Sequence, residues 1–217
     1  MNKTNIMKNI KPLIKEDPEY QGLYGKFRIT LEDKNEVKCY RIALLCCGLS
    51  FSIGMGQWLT FGSENVWVWL ILMFISLSLA LQWIHIYIKA IHLTLQILCI
   101  LGSLSITILI FSGNPQDLLY SFSIDKLKVL LMGPFFAALT GLGFKEFFCF
   151  RQPEAIGLTF LIPISILGYS LGIISPELIM ICLSVSAMLL LILGIRKFGM
   201  DPSLDIGDKS VFEYLNS

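Results

Sequence analysis

The chain has 217 residues, of which 55% are hydrophobic and only 15% carry a charge. Soluble domains average about 25% charged residues, so this composition excludes an ordinary soluble domain. A formal net charge of +1 also excludes the concentrated basic face that a nucleic-acid partner requires. We therefore predict a membrane protein whose main partner is the lipid bilayer.

The first 39 residues are polar and charged, and they lack the apolar core and cleavage site of a signal peptide. We predict that residues 1–39 form a cytoplasmic N-terminal segment. The alternation of apolar residues between Lys26 and Leu31 predicts one short strand. Further along, the stretch from Asp33 to Glu36 resembles a capping box that starts a helix leading into the membrane.

Apolar runs long enough to cross a bilayer, which takes about 20 residues each, fill the middle of the chain. They lie near residues 42–60, 66–88, 92–111, 127–144, 155–174 and 177–195. This pattern predicts an all-α membrane protein with a six-helix transmembrane bundle over residues 40–196. Residues 197–217 then form a cytoplasmic C-terminal tail.

One boundary between these runs has no turn signal. From Val66 to Leu101 there is no Gly, Pro, Asn or Asp, yet a single helix of that length would far exceed the bilayer. We place a tight turn near Ile88–Ala90.

Basic residues predict the orientation of the bundle. With six spans, all but two of the 17 Lys and Arg residues fall on the side of both termini, the exceptions being Lys126 and Lys128. Because positive residues mark the cytoplasmic side, we predict that the N-terminus and the C-terminus both lie in the cytoplasm.

Small residues recur at helical spacing in several of the runs. Gly133, Ala137 and Gly141 follow one another every four residues in the fourth run, and Ser52 and Gly56 do so in the first. Such spacing lets two helix backbones approach closely in a membrane. Packing within one bundle is favoured over a homo-oligomer interface.

A group of polar residues gathers where the second and third runs meet. Its members are spaced by three and four residues: Gln82, His85, Lys89, His92 and Gln96. They define a polar vestibule at the cytoplasmic mouth of the bundle, in which the histidines would accept protons near neutral pH. The alternative is that interfacial His and Lys reach the headgroups while Gln binds a neighbouring helix.

The connection between the fourth and fifth runs is rich in charge and in phenylalanine. Lys145, Glu146, Arg151 and Glu154 give two charges of each sign. A pair of Lys145 or Glu146 with Arg151 or Glu154 would close a gate or dock a partner. Alternatively, these residues form an interfacial loop held by salt bridges, each of little value when exposed.

No catalytic, cofactor or metal motif is found. The six cysteines show neither CxxC spacing nor histidines at ligand spacing, and zinc-protease, serine-hydrolase and phosphate-loop signatures are absent. We predict no cofactor and no metal, and we favour a non-enzymatic protein.

Four stretches of the sequence are distinctive: Gly143–Phe150 with Pro153–Ala155, Glu36–Arg41, Ile84–Tyr87 and Tyr20–Gly22. Together they resemble a family of uncharacterised integral membrane proteins of cyanobacteria and plastid-bearing relatives. The resemblance covers about residues 20–196. The resemblance implies a cell (inner) membrane or a thylakoid membrane, and it implies no activity.

Two functions follow as predictions. The first is a non-enzymatic protein that is accessory to a larger membrane complex, which would be its partner. The alternative is a small-solute or ion transporter that uses the polar vestibule.

Overall fold

The computed structural model describes residues 19–216, apart from the side chains at positions 212, 213, 215 and 216. The predicted segment 1–39 is therefore described only from Glu19 onward, and residues 1–18 lie outside the described part. A short antiparallel hairpin comes first, made of β1 (Glu19–Gln21) and β2 (Lys26–Arg28). The predicted strand is thus confirmed over three residues.

Helices make up the rest of the described chain. The long ones are α1 (Leu31–Phe61), α2 (Val66–Trp83), α3 (Lys89–Ser112), α6 (Gly133–Phe150), α7 (Pro153–Ser170) and α8 (Pro176–Lys197). The short ones are α4 (Leu118–Ile124), α5 (Lys128–Leu131), α9 (Pro202–Ile206) and α10 (Lys209–Asn216), with one 3-10 turn at Pro115–Asp117.

Helix α1 begins earlier than its predicted capping box. Thr30 is the N-cap, because its side chain accepts a hydrogen bond from the backbone N–H of Asp33, while the Asp33 carboxylate accepts one from the backbone N–H of Thr30. The prediction that Asp33 opens the box is wrong: Asp33 closes it. With 31 residues, α1 is about 46 Å long, which exceeds a hydrocarbon core of about 30 Å.

Five helices in the described part are long and apolar enough to cross a membrane: α1, α2, α3, α7 and α8. An all-α membrane protein is therefore confirmed. Helix α6 has the same length as α2, but it carries Lys145 and Glu146 and is not among the five. The count of six spans stays a prediction.

Two boundaries differ from the predicted ones. Helix α2 ends at Trp83, and the chain is extended at Ile84, so the turn comes earlier than Ile88–Ala90. The predicted loop after the fourth run is mostly helix, because α6 continues to Phe150 and α7 starts at Pro153.

Helices α1 and α8 pack closely against each other. A Cβ atom added to Gly48 would lie 2.9 Å from the Cα of Leu191, and one added to Gly194 would lie 3.0 Å from the Cα of Leu45. Glycine at both positions lets the two backbones touch. By contrast, Gly56, which was predicted to pack, has open space around it.

Both ends of the described chain meet at one end of the bundle. The backbone N–H of Leu23 in the hairpin donates to Asp208 Oδ2 at 2.7 Å, and that of Tyr24 donates to Ser210 Oγ at 3.1 Å. Lys209 pairs with Asp33 at 2.9 Å. The described part of the predicted C-terminal tail is thus folded onto the bundle. We call residues 19–30 and 200–216 the terminal cap, the end of the bundle beneath it the terminal end, and the other the distal end.

Candidate functional site: a buried ion cluster

Five charged side chains and that of Tyr40 come together from four helices where the terminal cap meets the bundle. Tyr40 and Arg41 lie on α1, Lys145 and Glu146 near the end of α6, Lys197 at the end of α8, and Asp205 on α9. We call these six residues the ion cluster. Because α1 extends beyond its apolar part, the cluster lies where the apolar segments of the helices end.

Lys197 is the centre of the cluster, and its side chain is fully buried. Its Nζ forms an ion pair with Glu146 Oε2 at a distance of 2.7 Å, and the geometry of this contact is not that of a hydrogen bond. The same ammonium group donates a hydrogen bond to Asp205 Oδ1. It also lies 3.8 Å from the centre of the Phe150 ring, a cation–π contact that is worth more in a desolvated site.

Side chains from three helices surround the carboxylate of Glu146. The Tyr40 hydroxyl donates to Oε1 at 2.6 Å, and Lys145 Nζ donates to the same oxygen at 3.0 Å. With the Lys197 contact on the second oxygen, the buried carboxylate is compensated on both sides. It ties α1 to α6 and α8.

Arg41 joins the cluster to the cap. Its Nε and one terminal nitrogen both donate to Asp205 Oδ2, at 2.9 and 2.6 Å. Its other terminal nitrogen donates to the carbonyl of Met200 at 2.8 Å. Planar guanidinium groups suit such multiple contacts, which lysine cannot copy. Arg41 therefore holds the segment after α8 against α1.

The cluster has one positive charge more than negative: Arg41, Lys145 and Lys197 against Glu146 and Asp205. Of the three cations, Lys145 retains the most contact with solvent, at 12% exposure of its side chain. A buried charge network is a weak source of net stability, but removing one partner leaves an uncompensated charge and is costly. We therefore expect the cluster to hold the helices and the cap together only while all of its members are present.

The predicted gate residues are placed differently from the prediction. Lys145 pairs with its neighbour Glu146, whereas Glu154 pairs with Arg196 at 2.7 Å. Arg151 is exposed at the turn, with a left-handed φ of 52°. The predicted pairs across the loop do not form, because α6 stays helical through Phe150 and directs Glu146 into the bundle.

The predicted vestibule residues lie in separate places in the structure. His92 Nε2 lies 2.6 Å from the carbonyl oxygen of Leu81, and Gln96 Nε2 donates to the same oxygen at 3.3 Å. They bind the carbonyl groups that the end of α2 leaves free. His85 lies 3.4 Å from Glu36 of α1 instead.

The remaining two vestibule residues, Gln82 and Lys89, are exposed. The five side chains therefore do not line one common space.

One group of side chains offers ligand atoms for a metal. Those of Asp33, Glu36 and His85 lie within 4.8 Å of one another. However, both carboxylate oxygens of Asp33 accept from Lys209 Nζ, at 3.0 and 2.9 Å. Burial lowers the pKa of His85, and the nearby Glu36 carboxylate opposes this change. The group is accounted for as an ion-pair cluster between α1 and the cap.

Sequence reasoning missed four members of the ion cluster: Tyr40, Arg41, Lys197 and Asp205. In the sequence, Arg41 and Lys197 indicate only the topology, and Asp205 lies in the predicted cytoplasmic C-terminal tail. One signal was present, because Tyr40 and Arg41 end the stretch Glu36–Arg41 that carried the family resemblance. A basic residue at each end of the apolar region, as at Arg41 and Lys197, marks where such a cluster forms.

Long apolar helices packed around small residues, with ionisable groups paired at one end, define a helical integral membrane protein. The chain belongs to the family described as uncharacterized integral membrane protein (DUF2301), whose model matches residues 79–214. That range contains the whole ion cluster except Tyr40 and Arg41.

One relative is an uncharacterized protein of Haemophilus influenzae, 33% identical over 132 residues. The match spans 60% of this chain and 66% of that protein, just under two thirds of its length. No solved structure matches. The predicted family and membrane location are thereby confirmed, whereas the restriction to cyanobacteria is not shown.

Proposed function

We propose that this protein is a six-span, non-enzymatic component of a larger membrane complex, with the terminal cap on its cytoplasmic side as the docking face. The observation that carries the proposal is the cap itself. Residues from both ends of the described chain build it, and the ion cluster fastens it to three long helices. A segment fixed in this way presents a surface of constant shape, as docking requires.

Two observations support six spans with both termini inside. The cap brings the start of α1 and the end of α8 to one end of the bundle, as with Arg41 and Asp205, and this requires an even number of crossings. If α6 crosses the membrane together with the five apolar helices, the number of crossings is six and therefore even. The bias of Lys and Arg toward this same end makes it the cytoplasmic one. Cell (inner) membrane or thylakoid membrane stays a prediction.

The cap exposes apolar side chains outside the apolar helices. Leu23, at the tip of the hairpin, is 78% exposed, and Leu204 on α9 is 55% exposed. A protein partner that binds the cap would cover these two side chains. Inside the bundle, the buried polar side chains between the two ends, within the described residues, are serines. That interior suits a packed scaffold better than a polar path.

Photo-cross-linking in intact membranes tests this proposal. A benzophenone amino acid replaces Leu23 in one variant and Leu104, an exposed residue of α3, in the matched control. We expect a discrete protein adduct from position 23 and none from position 104, together with co-migration of the tagged chain with that protein on a native gel. If position 23 gives no adduct and the chain migrates as a small single species, the proposal is wrong.

A transporter for a small solute or an ion is the alternative. It draws on His85 and His92, which lie at the terminal end of α2 and α3, although both already have partners. Flux into liposomes tests it. A transporter would lose flux when His85 and His92 are replaced, whereas an accessory protein would lose complex formation when Lys145 and Glu146 are replaced.

A further inference from the structure

An apolar cavity of about 140 Å³ lies at the distal end, lined by residues of α1, α2 and α4 to α8. Its walls include Trp58, Trp69, Met55 and Met73. An engineered apolar cavity of about 150 Å³ in another protein stays dry and takes up benzene. The cavity here therefore has room for one six-membered ring.

The walls suit a ring in their chemistry as well as in size. Methionine sulfur makes favourable contacts with aromatic rings, and its side chain adapts to irregular shapes. Trp69 is held in place because its Nε1 donates to Gln57 Oε1 at 2.6 Å. The wall of the cavity is thus pre-organised at Trp69 and adaptable at the methionine side chains.

One hydroxyl group on the wall has no hydrogen-bond partner in the described part of the chain. The serines within α7 and α8 donate to the carbonyl group four residues earlier, as Ser165 does to Leu161 and Ser186 does to Cys182. Ser50 lines the cavity and is only 7% exposed, yet no such bond is formed. The Ser50 hydroxyl group is therefore available for a hydrogen bond with a polar atom of a ligand in the cavity.

We propose that this cavity binds a membrane-dissolved molecule through a six-membered ring that carries an oxygen, as in a phenol or a quinone, and that Ser50 binds this oxygen. The ring lies among the tryptophan and methionine side chains. Any longer chain of the molecule lies outside, because the cavity has room for the ring alone. This inference does not depend on the docking role of the cap, which is at the other end.

Thermal unfolding of the full chain in mild detergent tests the proposal with phenol, anisole and toluene as probes. A ligand that binds only the folded state raises Tm, and above its Kd the stabilisation grows with the logarithm of the ligand concentration. Phenol can donate and accept a hydrogen bond, anisole can only accept, and toluene can do neither. We expect all three to stabilise the protein and phenol to bind most tightly. Tight binding of anisole as well would indicate a quinone-type ligand, and its absence a phenol-type ligand.

Two variants and a control make the outcome decisive. Ser50→Ala should weaken phenol about two- to tenfold, the value of one neutral hydrogen bond, and leave toluene unchanged. Ser50→Leu fills the cavity and should abolish binding of every probe. Ser76→Ala, which changes a buried serine of α2 outside the cavity, should alter nothing.

The proposal is overturned if no probe raises the Tm of the wild-type chain. It is also overturned if phenol binds Ser50→Ala as tightly as the wild type. Because Ser50→Ala removes only an unpaired hydroxyl group, we expect it to fold even where Ser50→Leu does not.

Discussion

The two ends of the bundle solve the problem of a buried interior in opposite ways. At the terminal end, Lys197, Glu146 and Asp205 are buried charges, and each has partners within hydrogen-bonding or ionic distance. At the distal end, the interior is apolar and contains a cavity of about 140 Å³ that Ser50 lines.

The difference teaches where rigidity and adaptability lie in this molecule. Charge pairs in a buried site are specific, because a misplaced partner leaves an uncompensated charge. Methionine-rich apolar walls tolerate many arrangements. We infer that the terminal end fixes the architecture and that the distal end is free to accommodate a ligand.

The largest effect is expected when the centre of the ion cluster is removed. Lys197→Met leaves the carboxylates of Glu146 and Asp205 buried with one cation fewer, and it should lower the free energy of unfolding by about 3–5 kcal/mol. Thermal unfolding of the purified chain measures the loss. Lys89→Met, at an exposed lysine, is the matched control and should change little.

A second change in the same cluster sharpens this result. Adding Glu146→Gln to Lys197→Met removes the charge of the carboxylate that has lost its contact with Lys197. The double variant should therefore be more stable than the sum of the two single losses implies. Coupling between contacting residues is typically about 0.5–3 kcal/mol. Simple additivity would show that Lys197 and Glu146 do not act as a pair.

A smaller loss is expected where α1 and α8 touch. Gly48→Ala introduces a methyl group 2.9 Å from the Cα of Leu191, and overpacking of this kind costs about 1–3 kcal/mol. Gly56→Ala, on the same helix with open space around it, should be neutral or slightly stabilising because alanine favours a helix. Equal effects at the two positions in thermal unfolding would contradict the close approach of α1 and α8.

The smallest effect concerns pH. Burial lowers the pKa of His85, aided by Lys145 and opposed by Glu36, Asp33 and Asp205. Below the ordinary histidine pKa of about 6.5 the unfolded chain binds the proton more readily than the folded one, so stability should fall as the pH drops through that value.

Comparing Tm at pH 7.5 and pH 5.5 for the wild type and His85→Gln isolates this contribution. The wild type should lose more stability on acidification than the variant does. The reverse order would mean that the protonated His85 gains more from Glu36 than it loses by burial.

The apolar helices were predictable from sequence because length and hydropathy alone decide whether a segment suits a bilayer. The boundary after Trp83 was not, because the chain turns there with neither Gly nor Pro. Helices α9 and α10 were also missed, since such short polar segments gain their structure from contacts such as Asp208 with the hairpin.

The candidate site was only partly predictable. Lys145 and Glu146 stood out as charges among phenylalanines, and both belong to the ion cluster. The burial of Lys197 could not be read from the sequence, because a lysine at the end of an apolar run usually extends to the headgroups. Its true position depends on Asp205 of the folded cap, a contact between segments that only the fold brings together.

Hydrogen exchange measured by mass spectrometry tests the contrast between the two ends most directly, because it reports both in one sample. We predict slow exchange in the wild type for residues 190–206, which include Lys197 and Asp205, and faster exchange for α4 and α5 beside the cavity. Lys197→Met should accelerate exchange over 190–206 and leave α4 and α5 unchanged. Fast exchange over 190–206 in the wild type, or no response there to Lys197→Met, would contradict the claim that the ion cluster holds the terminal cap on the bundle.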